Sequence, residues 1–181
     1  NATNNVLIGY ECAKAATGAG EFTGGNNTCI GYQCSYKNSS GYNNVAIGYQ
    51  CLYHNTTGFS NVAMGHQSLL NGGSRNVALG YQCLYYNTSS NNTAIGYQCS
   101  HFNSSGQYNT AIGLHSLRSN TSGASNVSIG FECLRGESLY TGTDANVAIG
   151  YQCGRFVGSE AENNVLIGFE CAKAATGEDK F

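Results

Sequence analysis

Proline and tryptophan are absent from this sequence, and only 10% of its residues are charged, against about a quarter in ordinary globular chains. Asn, Ser and Thr fill the difference. Disorder needs high net charge and few apolar residues. Here 41% of residues are apolar and the formal net charge is −2, so a folded chain with an uncharged polar surface is expected. No run of Lys or Arg occurs, which argues against a phosphate-binding surface and against nucleic acid as a partner. No apolar stretch approaches the roughly 20 residues of a membrane-spanning helix, so membrane insertion is not expected. No basic segment followed by an apolar run opens the chain, so no signal peptide is expected there.

Catalytic signatures are missing too. Two Asp (Asp144, Asp179) and four His (His54, His66, His101, His115) are scattered along the chain. No nucleophile elbow, phosphate loop or zinc-ligand spacing is present. The glycine cluster GAGEFTGG at 18–25 does not match a dinucleotide fingerprint. A non-enzymatic protein without a cofactor or metal is expected.

What is present is a repeat, and fixed-period self-similarity takes precedence over other signals. The stretch NNVAIGYQCL at 43–52 returns ten times, aligned on Gly9, Gly31, Gly48, Gly65, Gly80, Gly96, Gly113, Gly130, Gly150 and Gly168. Asn stands four residues before each glycine: Asn5, Asn27, Asn44, Asn61, Asn76, Asn92, Asn109, Asn126, Asn146 and Asn164. Val or Thr follows, then mostly Ala, then Ile, Leu or Met. After the glycine come mostly Tyr or Phe, then Gln, Glu or once His, then Cys or Ser. Val-Ala-Ile is a period-two pattern with one buried face, a short β-strand rich in β-branched residues. The glycine interrupts it. A second short strand such as YQCLY is expected next, then a polar turn such as NTTG.

A unit of about 17 residues is too short for a helix pair. It fits one coil of a parallel β-solenoid, an all-β array of about ten coils spanning residues 1–181 as a single domain. In such a stack each residue sits above its own kind, about 4.8 Å away. The Asn column is then a hydrogen-bonded ladder, and the Val and Ile columns a continuous apolar stripe. The AKAATG pieces at 13–18 and 172–177 allow at most a helical turn. Residues 4–22 and 163–181 agree at fifteen of nineteen positions, a longer repeat of 159 residues. It suggests a longer tandem array or matched ends that stack head to tail.

Eight cysteines share one column: Cys12, Cys34, Cys51, Cys83, Cys99, Cys133, Cys153 and Cys171; Cys29 stands apart in an Ala position. The coil spacing lies within the Cα separation of a disulfide. Cys34 with Cys51 and Cys83 with Cys99 are candidate bridges. The alternative is a column that needs a small side chain, since Ser68 and Ser116 replace Cys in it. Of nine N-x-S/T sequons, five share one loop position: Asn38, Asn55, Asn87, Asn103 and Asn120. They are candidate glycan acceptors projecting from one face. The alternative is that an Asn/Ser-rich turn creates sequons by itself.

NNVAIG with a small residue three after the Gly resembles the head repeat of trimeric autotransporter adhesins. NNTAIGYQCSHFNSSG (91–106) and NNVAIGYQCLYHNTTG (43–58) are still more similar to repeats of bacteriophage and other viral tail-fibre proteins. The resemblance covers the whole chain. It implies a left-handed parallel β-roll assembled as a parallel homotrimer, and an extracellular place on a cell or virion surface. The Cys column departs from the family's small Ala or Ser.

The expected function is a non-catalytic extracellular fibre segment with an adhesive role. Its partners are copies of itself, as a homotrimer or end-to-end fibre, and a host-surface glycan or protein. The alternatives are a receptor- or glycan-binding adhesin head or tail-fibre domain, with Tyr53, Tyr85 and Tyr86 suited to sugar stacking, and a β-solenoid polysaccharide-processing enzyme. The latter needs clustered carboxylates or basic residues.

Overall fold

The computed structural model describes residues 2–15, 21–136, 142–156 and 161–172. Each repeat contributes one strand to a single parallel sheet. The strands are β1 (Val6–Tyr10), β2 (Thr28–Tyr32), β3 (Val45–Tyr49), β4 (Val62–His66), β5 (Val77–Tyr81), β6 (Thr93–Tyr97), β7 (Thr110–Ile112), β8 (Val127–Phe131), β9 (Val147–Tyr151) and β10 (Val165–Phe169). They lie side by side in chain order. Like columns pair: Val45 faces Val62, Ala46 faces Ala63 and Gly48 faces Gly65. The fold is an all-β parallel solenoid.

The bend after each strand requires glycine. Gly48 has φ 130°, a region that disfavours any side chain, and a Cβ there would run into the Gly65 carbonyl of the next coil.

The expected second strand does not form. Two and four residues past the glycine the backbone is left-handed: Gln50 has φ 52° and Leu52 φ 54°. This conformation breaks strand alternation, so Cys51 and Leu52, adjacent in sequence, are both fully buried. Bulky residues rarely adopt it. Coil-to-coil hydrogen bonds hold it, such as Gln50 N–H to Tyr32 O at 2.9 Å and Leu52 N–H to Ser68 O at 3.2 Å. A third left-handed residue, Asn43 with φ 56°, precedes the strand.

Of the strand's two faces, the buried one is the small one. The small middle residue faces the core, and Ala46, Ala63, Ala78, Ala94, Ala111 and Ala148 are fully buried. Val and Ile point outward. A coil of this perimeter encloses little volume. Across from the Ala column stand the Cys and Leu columns, which complete the core, with two buried Asn columns beside them. The Ala position also takes Cys29 and Ser128, and a residue much larger than these would overpack this interior. No helix occurs among the described residues. Half of the first AKAATG piece, at 16–18, and most of the second, at 173–177, lie outside them, as do 137–141 in the long eighth loop.

Candidate functional site

The Asn column is a ladder. The backbone N–H of each Asn donates to the Oδ1 of the Asn one repeat earlier, from Asn27 to Asn5 at 2.8 Å through Asn61 to Asn44 at 2.9 Å to Asn164 on Asn146 at 2.9 Å. Its Nδ2 reaches sideways to the polar turn of the following coil, as Asn44 does to Gly58 O at 2.9 Å and Asn61 to Gly73 O at 2.8 Å. One amide thus joins three successive coils. Burial makes each bond costly to lose.

Asn38, Asn55, Asn87, Asn103 and Asn120 form a second buried column. Each amide works inside its turn. Asn38 Oδ1 accepts from Gly41 N–H at 2.7 Å while Nδ2 donates to Gly41 O at 3.2 Å; Asn55 and Gly58 repeat the pattern at 3.0 and 3.1 Å. These amides are not presented to solvent, so they do not project as a row of glycan acceptors. A sugar on Nδ2 would require the turn to open. The sequon pattern is here the signature of an Asx-type turn.

All nine cysteines are free thiols, so the bridges Cys34–Cys51 and Cys83–Cys99 are not formed, and Cys12, Cys133, Cys153 and Cys171 are likewise unpaired. The reason is local. Each thiol of the eight-residue column is turned to backbone carbonyls at the bend: Cys51 Sγ donates to Gly65 O at 2.9 Å with Ile47 O also near at 3.3 Å, and Cys133 repeats this with Gly150 O at 3.1 Å. Ser68 and Ser116, in the same column, donate to Ala78 O at 2.7 Å and Ser128 O at 2.6 Å. The position therefore takes a small hydrogen-bond donor. The neighbouring thiols of Cys34 and Cys83, together with burial, push Cys51 and Cys99 well up and keep them protonated. Burial pushes Cys29 up to about 11. Such thiols are inert.

The aromatic residues stack on each other. Tyr10, Tyr32, Tyr49, His66, Tyr81 and Tyr97 form one ladder with ring centroids 4.8–5.2 Å apart and planes within 15°. Leu114 interrupts it, and Phe131, Tyr151 and Phe169 resume it. Tyr53 lies on Tyr36, Tyr85 on His101 and Tyr86 on Phe102. Ring faces are turned along the solenoid axis and occupied by neighbours, which leaves edges for solvent. This suits a stabilising ladder rather than a platform for sugar rings.

Two further columns had no role assigned from sequence. Two residues past the glycine, Gln33, Gln50, Gln67, Gln82 and Gln98 hand a side-chain hydrogen bond back from repeat to repeat at 2.9–3.1 Å, ending on Glu11. In the next repeats the same column holds His115 and the buried Glu132. Glu132 accepts from Gln152 Nε2 at 2.9 Å and lies 3.0 Å from Arg155 Nε and 3.4 Å from Arg135 Nε. The signal for this block was available: Arg118, Arg135 and Arg155 all stand five residues past their glycine. Read linearly they are too far apart to look like a basic run.

The outward face of the sheet carries three uncharged columns: Val or Thr, then Ile, Leu or Met, then the Tyr-rich ladder. Ile8 is 57% exposed, Met64 40% and Ile167 63%. Among the described residues no group of three His, Cys, Asp or Glu is placed to hold a metal. Comparisons with models of protein families, with curated proteins and with solved structures return no significant match for this chain.

Proposed function

We propose that the chain is a segment of an extracellular structural fibre that self-associates through its outward sheet face and serves surface attachment. The observation that carries the reading is that face. It has three adjacent columns, ten repeats long, without one charged residue. Soluble chains rarely leave a contiguous apolar strip of this length to water, and such strips mark association sites. The occupant is a second and third copy of the same chain. A flat face with one residue type per column, repeating about every 4.8 Å, is complementary in period to a parallel copy of itself. The resemblance to adhesin heads and viral tail fibres points to a parallel homotrimer, and placement on a cell or virion surface comes with it. The stacked Asn, Gln and aromatic ladders suit a shaft whose task is length and durability.

The test is native mass and sedimentation of the purified chain, beside the double variant Ile95→Glu/Ile129→Glu. The expected result is a trimer that falls to monomers of unchanged β-sheet circular dichroism in the variant. A wild-type chain that stays monomeric at its highest soluble concentration overturns the reading.

A further inference from the structure

Three of the chain's four arginines, Arg118, Arg135 and Arg155, occupy one column in three consecutive repeats. The coils there are in register: Ser119 N–H donates to Arg135 O at 3.0 Å and Gly136 N–H to Arg155 O at 2.9 Å. The three arginine positions therefore form a row along the solenoid axis, one per coil, their backbones about 4.8 Å apart.

Their compensation is incomplete among the described residues. Glu132 is the one carboxylate at ion-pair distance, and it serves Arg135 and Arg155. Its oxygens also meet Gln152 Nε2 and, at 3.7 Å, His115 Nδ1. Burial, then Arg118 and Arg135, push the His115 proton affinity down, so His115 adds no countercharge and no further cation near neutral pH. Arg118 turns to a neutral amide, Gln98 Oε1 at 3.3 Å, and lies 5.1 Å from the centre of the Phe102 ring. Among the described residues three guanidiniums stand against one carboxylate, a surplus of two positive charges. The Nε atoms of Arg135 and Arg155 are buried and, despite their closeness to Glu132, make no well-aligned hydrogen bond. Their side chains remain 25% and 23% exposed, so they are within reach of a ligand.

We propose that this arginine row binds a linear acidic polysaccharide, one carboxylate or sulfate group per guanidinium. Guanidinium forks match such oxyanions in two parallel hydrogen bonds. The donors form a line rather than a cup, which favours an extended polyanion over a single ion. The ring ladder from Tyr10 to Tyr97 is stacked on itself, so it offers nucleic-acid bases no row of open faces. The proposal rests on the adhesive part of the function above and not on self-association.

The experiment is titration calorimetry of the full chain with a hexameric polyuronate, its neutral methyl ester, a sulfated oligosaccharide, free sulfate and a single-stranded oligonucleotide. Oligomer mass is measured on the same samples. An acidic oligosaccharide should bind and the ester should not, with affinity falling as salt rises. R118Q should weaken binding about tenfold, the equivalent of one lost charge-assisted pair. E132Q, which adds to the surplus, should tighten it, and R75Q, remote from the row, should leave it unchanged. Equal binding of the ester, an unaffected R118Q, free sulfate binding as tightly as the polymer, or preference for the oligonucleotide overturns the proposal. A trimer that binds no acidic oligosaccharide sinks this proposal alone, and a monomer that binds one sinks self-association alone.

Discussion

From Gly31 to Gly96 the residue two past each repeat glycine is glutamine, and each amide passes a hydrogen bond to the last. Between Gly113 and Gly150 the same column reads His115, Glu132 and Gln152, flanked by three arginines. Both regions share one backbone path, one Asn ladder and one inward Ala column, broken by Cys29 in the first and Ser128 in the second. The difference is confined to side chains outside the core. It shows which chemistry stacking permits. A neutral amide is its own complement and can repeat without limit. A charge cannot stack on its like without cost, so a charged block needs partners of opposite sign or a ligand that supplies them.

Four changes test how far the two regions share a frame. The largest effect belongs to the bend. Gly48→Ala in the neutral block and Gly130→Ala in the charged block should each cost on the order of 4 kcal/mol by urea denaturation, since both strain and overlap are introduced. Unequal losses would mean the frame is not common to both. Next is the ladder. Asn61→Ala leaves Gly73 O and the Asn76 N–H without their partners, and Asn109→Ala strips the Asn126 N–H and Nδ2 of their shared acceptor, while Gly123 O keeps Asn120 Nδ2. About 3 kcal/mol is expected at each site, checked by the same denaturation curves; a loss under half of that would deny the ladder its role.

Glu132→Gln restores an amide to the column but strips Arg135 and Arg155 of their carboxylate. The expected loss is about 2 kcal/mol, between exposed and buried pairs, and added sulfate should recover part of it in a thermal melt. A stabilised variant would show that the amide ladder, not the ion pair, dominates there.

The smallest effect is a pH dependence at the border of the two blocks. Burial pushes the His101 proton affinity down. The unfolded chain then binds a proton that the folded chain refuses. Stability is full above the ordinary value of about 6.5 and falls as pH drops from there to the lower folded value. His101→Gln should flatten the melting temperature between neutral and mildly acidic pH relative to the parent. An equally steep loss in the variant would move the cause elsewhere.

Much of the fold was legible in the columns. The Asn position, the bend glycine and the parallel stacking follow from ten copies of one pattern. Two readings failed for a shared reason. YQCLY reads as a strand only if its backbone alternates, and left-handed residues such as Gln50 and Leu52 undo that. The sequons of Asn38 and its column read as exposed, because Ser and Thr ordinarily are. In each case local preference pointed one way, and the narrow interior of the coil decided the other.

Sequence by itself determined the period, the register and which residue types stack, because a repeat that pairs with its own neighbour must place like on like. It also supplied the shortage of charge that leaves the outward face apolar. Tertiary structure alone decided which face of the strand looks inward, where the thiols donate, and that Arg118, Arg135 and Arg155 stand in a row. Those depend on how much volume a coil encloses and on contacts between residues 17 and 20 positions apart along the chain, which become neighbours only when the coils close.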